Sequence, residues 1–190
     1  MDLQLSWDLF IVVFFVIVVA YSLIIGRDNT IKVILGTYVA VVCADAIGGL
    51  FAHYMGGTMM FLQFAKEASL ESVDEAVIFS KVLIFLLMVI LFAVRGAFAV
   101  CTSNTRGIVG LVAHLFYAFC SAGLIVSSVL VLVSGVSLLG GGGVVSEALS
   151  QLTAESYLAL NLVYYSNFFF AIPAIAFLLH GLQGPEVVAE

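Results

Sequence analysis

Uninterrupted apolar runs constrain this chain more than any other feature. Residues 9–25, LFIVVFFVIVVAYSLII, contain no charged side chain, and comparable runs recur along the 190 residues. A helix needs about 20 apolar residues to cross a hydrocarbon core of about 30 Å. Lipid offers no hydrogen bonds to the backbone, so such runs are expected as helices. With 64% hydrophobic and 9% charged residues, against about 25% charged in a soluble domain, the chain cannot coat a water-facing surface. The expected fold is all-α: a polytopic integral membrane helical bundle of about five transmembrane helices with interfacial segments.

Breaks in the apolar pattern place the spans at about 6–25, 31–54, 73–98, 107–135 and 157–179, within a single domain of residues 1–182. A short acidic cytoplasmic tail, 183–190, follows. The N-terminus has Asp2 and Asp8 where a secretory signal has basic residues, and no A-x-A-like site follows. It reads as a retained span. At GRDNT (26–30), Gly26 suits a helix C-terminus, while Asp28, Asn29 or Thr30 can cap the second helix. Residues 55–75 mix apolar and charged side chains and read as a segment on the bilayer surface. Within them, Ser72 and Glu75 fit a capping box for the third helix. GGGG (140–143) lacks the Lys-Ser/Thr of a phosphate cradle and reads as a hinge. Residues 146–156 read as a short surface helix, and Pro173 is expected to kink the fifth span.

Arg27, Lys32, Arg95 and Arg106 flank the links between spans 1–2 and 3–4. The positive-inside rule then puts the N-terminus outside and the C-terminus in the cytoplasm. A formal charge of −6 argues against nucleic acid as a partner. Cys43, Cys101 and Cys120 make no disulfide framework and are expected as free thiols.

The polar residues inside the runs carry the functional question. Asp45 interrupts VVCADAIGGL (41–50), roughly 13 Å below the outer end of its helix. A charge at such depth costs at least about 2.5 kcal/mol, so it must face protein or water. Val41, Gly48, Gly49 and Ala52 share its face, and small residues there admit another helix. Lys81 lies roughly 12 Å into the third helix from the same side, which offers a partner at matching depth. Alternatively, Lys81 snorkels to the outer interface and Asp45 is protonated.

With His114 and Asn167, these two residues are expected to form a polar layer near the midplane. Such a layer is read either as a proton or ion pathway or as interhelical glue. Small residues suited to packing are Gly36, Gly48 and Gly49 on the second helix and Gly107, Gly110, Ala118 and Ala122 on the fourth. His53 and His180 read as interface residues. No metal-ligand spacing and no G-x-S-x-G elbow appears, so the chain is read as non-enzymatic, with no cofactor and no metal site.

The chain resembles the colicin V production protein family of bacterial inner-membrane proteins. The resemblance covers about residues 5–135. It rests on the Gly26–Arg27 turn, the small-residue-rich second helix, and RGIVGLVAHLFYAFCSAGLIV (106–126), where Arg106 leads to Gly107 and Gly110. It implies a membrane protein needed for export of, or envelope tolerance to, small molecules or peptides, with no catalytic residues to carry over. The chain departs from the family in its low basic content, its acidic outer segment and its fifth span. The expected function is support of an envelope or export process in the lipid bilayer, through other membrane proteins or as a homo-oligomer. The alternative is a proton- or ion-coupled channel or transporter using Asp45, Lys81 and His114.

Overall fold

A computed structural model describes residues 7–55, 58, 63, 73–95, 108–135 and 156–182. Every element among them is a helix: α1 (Trp7–Ile25), α2 (Arg27–Met55), α3 (Val73–Arg95), α4 (Ile108–Val133), α5 (Tyr157–Tyr164) and α6 (Ser166–Leu182). Four of these, α1 to α4, are long and apolar enough to cross a membrane, and α5 with α6 makes a fifth if the bent pair is one span. This is the architecture of a multi-pass membrane bundle.

The packing order fixes the direction of each helix. Moving up α4, His114 meets Ser22, Phe119 meets Phe15, and Val126 packs with Ile11. Over the same stretch, Tyr117 and Leu124 pack with Ile31 and Ile34, and Ile125 with Ala40 and Ala44. α4 is therefore antiparallel to α1 and parallel to α2. Against α2, Lys81 pairs with Asp45 while Phe92 reaches Gly36, so α3 runs antiparallel to it. Ala176 at the far end of α6 joins the Ile31 cluster, so α5–α6 runs beside α1 in the same sense.

α4 is the central post. In its apolar stretch 67% of the residues are buried, against 11% in α1 and α3, whose outward faces carry Val16, Ile17, Leu87 and Ile90. Those faces suit lipid. Ala118, Ala122 and Leu124 have no exposed surface at all.

Three boundaries differ from those expected. α2 begins at Arg27, immediately after Gly26, whose φ of +86° is the left-handed C-terminal turn glycine favours. Asp28, Asn29 and Thr30 thus lie inside α2. Asn29 Nδ2 donates to the Ile25 carbonyl at 2.9 Å, and Thr30 Oγ1 lies 2.9 Å from both the Ser22 and Gly26 carbonyls. These side chains satisfy the orphan carbonyls ending α1 rather than the N–H groups opening α2.

α4 closes at Val133, and Gly135 (φ +73°) donates its N–H to the Leu132 carbonyl at 3.2 Å. The expected fifth span is broken at Tyr165, where α5 and α6 meet at 50°, and Pro173 lies buried within α6. Tyr164–Asn167 is an aromatic, Ser and Asn run of modest helix propensity, and Ser and Asn compete for backbone groups. There the Phe168 N–H turns to the Tyr165 carbonyl at 2.9 Å.

Most of the surface segment expected at 55–75, the GGGG hinge, all of the helix expected at 146–156 but Ser156, which is extended at the start of α5, and Cys101, Gly107 and the tail lie outside the described residues.

Candidate functional site

Asp45 and Lys81 meet. Lys81 Nζ lies 2.7 Å from Asp45 Oδ1, with both residues buried between α2 and α3. Along α2, Asp45 is roughly 15 Å from Met55 and roughly 27 Å from Arg27 at 1.5 Å per residue. Lys81 is roughly 12 Å from Val73 by the same rise, so depth counting brought the two to one level. Isolated, either charge would be costly at that depth. Paired at hydrogen-bond distance, each neutralises the other, and the interaction is charge-assisted.

Gly48 makes the approach possible. A Cβ there would stand 2.2 Å from Lys81 Cγ and 2.8 Å from Cε, so the lysine stem lies along bare glycine backbone. One face of α2 repeats the device lower down, where a Cβ on Gly36 would stand 2.6 Å from Phe92 Cβ. Phe85, Val41 and Ala44 seal the space between. Gly36 and Gly48 thus act as seats for α3 side chains, whereas Ala52, expected on the same face, is exposed, as is Gly49. The latter faces open space and packs against nothing within 4 Å, contrary to its expected packing role. Gly110 is half-buried, while Ala118 and Ala122 lie in the core.

The single polar layer does not form. His114 Nε2 is 3.2 Å from the Ser22 carbonyl, the same oxygen that accepts from Thr30. Because a carbonyl only accepts, the ring carries its proton on Nε2. Thr30 stands roughly 22 Å along α2 from Asp45, so His114 belongs to the opposite half of the bundle. Asn167 is exposed on α6 and does not enter the interior. Depth counting succeeded along α2 and α3 because both were measured from the same connection. It failed for His114, whose height depends on how far α4 slides past α2, while Asn167 leaves the layer by facing outward from α6.

Several polar contacts escaped the sequence reading. Tyr38 donates its hydroxyl to the Phe170 carbonyl at 2.5 Å, bridging α2 to α6 one turn before Pro173. Phe169 sits over Gly123, where a Cβ would stand 2.1 Å from its Cδ1. At the opposite end, Ser156 caps α5, accepting from the Ala159 N–H at 3.0 Å. The Ser156 hydroxyl donates to Asp8, and the Leu158 N–H reaches the same carboxylate oxygen at 3.2 Å. An acid at a helix N-terminus is favourable. The only available signal was Asp8 itself, an acid at the start of an apolar run.

Cys43 and Cys120 are free thiols. The serines of α4 are buried, and Ser128 donates to the Leu124 carbonyl at 2.7 Å. The arrangement is one of internal ties between helices, with a closed ion pair as the strongest. No family model matches the chain, nor does any curated protein or solved structure.

Proposed function

We propose that this chain is a non-enzymatic, multi-spanning protein of a bacterial inner membrane that supports an envelope or export process by binding other membrane proteins or itself. The closed Asp45–Lys81 pair carries the reading. Its 2.7 Å contact uses two buried charges to hold α2 against α3, which suits a structural tie better than a relay awaiting an ion. His114, which a relay would need nearby, serves the end of α1 instead. The basic residues Arg27 and Arg95 begin α2 and end α3, supporting a cytoplasmic location for that end by the positive-inside rule. The resemblance to the colicin V production protein family supports the envelope or export role.

The transport alternative draws on the same buried pair, since intramembrane ionisable residues often mark pathways. Proton and cation flux into liposomes separates the two. Wild type and Asp45→Asn are both expected to leave an imposed pH gradient intact. Flux in wild type that Asp45→Asn abolishes would overturn the structural reading.

A further inference from the structure

The outward face of α6 presents a polar group where lipid has none to match it. Asn167 is exposed there, and its amide has no hydrogen-bond partner among the described residues. Its depth follows from its neighbours. Phe169 sits over Gly123, roughly 15 Å from the end of α4, and the Phe170 carbonyl meets Tyr38, roughly 16 Å from the start of α2. Asn167 precedes both by less than one turn, so it lies near mid-bilayer. An amide unpaired in hydrocarbon costs several kcal/mol.

The surface around it is shaped for a helix. Ala171 and Ala174, four and seven residues on, are also exposed and share its face. Such small residues let a second backbone approach closely. Tyr165 and Phe168, with ring centroids 6.0 Å apart, border the same face beside the 50° bend.

We infer that this face of α6 is the contact through which two copies of the chain pair within the bilayer, with Asn167 of one against Asn167 of the other. A two-fold axis along the membrane normal carries every residue to its own depth in the second copy. A carboxamide holds both a donor and an acceptor, so it complements itself across that axis. A foreign helix would need its own polar side chain at this depth, and acyl chains have none. This contact rests on the partner-binding reading above and names one surface for it.

The test uses the full chain in lipid vesicles, with Cys43, Cys101 and Cys120 replaced by Ala. Asn167→Cys is expected to form a disulfide-linked dimer on mild oxidation, while Leu86→Cys on the exposed face of α3 is not. In the otherwise native chain, Asn167→Leu is expected to weaken dimerisation about three- to twentyfold, the usual range for one interhelical hydrogen bond. Asn167→Gln is expected to keep most of it. Energy transfer between labelled copies reads the dimer, and circular dichroism verifies that the variants fold. A monomer at all protein-to-lipid ratios, equal cross-linking at both positions, or cross-linking of Asn167→Cys in native membranes only to a different protein would overturn the pairing. Those results leave the flux experiment untouched, so the two ideas fail separately.

Discussion

Gly48 and Gly123 each receive a large side chain from a neighbouring helix, and what they receive differs in kind. Gly48 underlies Lys81, whose ammonium continues to Asp45, whereas Gly123 underlies the ring of Phe169. Both seats bring backbones close by omitting a Cβ. The ring asks only for volume. The lysine stem also delivers a charge that another buried charge requires. The α2–α3 contact therefore combines fit with obligation, while the α4–α6 contact rests on fit, aided by the nearby Tyr38 hydroxyl.

The largest effect is expected from breaking the obligation. Lys81→Met strands Asp45 in the bundle and should destabilise the protein by about 3–5 kcal/mol, the usual cost of orphaning a buried charge. Adding Asp45→Leu should recover most of that loss, because two apolar residues of similar volume are often tolerated where a pair stood. Unfolding in mixed micelles by increasing dodecyl sulfate measures both. Equal damage in the single and double variants would mean that the charges do not depend on one another.

A smaller effect separates the two seats. Gly48→Ala and Gly123→Ala should each cost about 1–3 kcal/mol by overpacking. Phe169→Ala should relieve Gly123→Ala, since it removes the ring atoms nearest the added Cβ and only volume is at issue. Lys81→Met should not relieve Gly48→Ala, since methionine keeps the Cγ nearest the added Cβ and removes the ammonium that meets Asp45. Gly49→Ala is the internal standard: next door but facing open space, it should be neutral or gain up to about 1 kcal/mol of helix propensity. The same unfolding assay ranks all of these, and symmetric rescue would erase the distinction.

The smallest expected change is at Tyr38→Phe, which removes one hydroxyl donor to the Phe170 carbonyl. A loss of about 0.5–1.5 kcal/mol is expected. Faster amide exchange should accompany it around Phe170–Ala174 on α6 and not on α3.

The residues legible in the sequence were those whose position depends on one helix and one link. The apolar runs forecast α1 to α4 because hydrocarbon thickness sets their length. Asp45 and Lys81 were paired by counting from a shared connection. His114 was misplaced because height on α4 means little until the sliding of that helix past α2 is known, and Asn167 because its depth does not say which face of α6 it occupies. Gly123 went unnoticed because a glycine reveals its purpose only when its occupant, 46 positions away in Phe169, is in view. Pro173 drew attention as a helix breaker, yet the bend fell at Tyr165. Pro173 lies inside α6, and the break between the two helices falls instead at the weaker Tyr-Ser-Asn run.

Asp8 lies in the first turn of α1, and the groups that engage it, Ser156 and the Leu158 N–H, are about 150 positions later. A chain threaded into a bilayer as it is synthesised places its first span long before those groups exist. That carboxylate must wait, solvated at the bilayer edge, until Ser156 and Leu158 have been made. Docking of α1 against α5 is thus a late step, and its latch joins two helices separated by most of the described bundle.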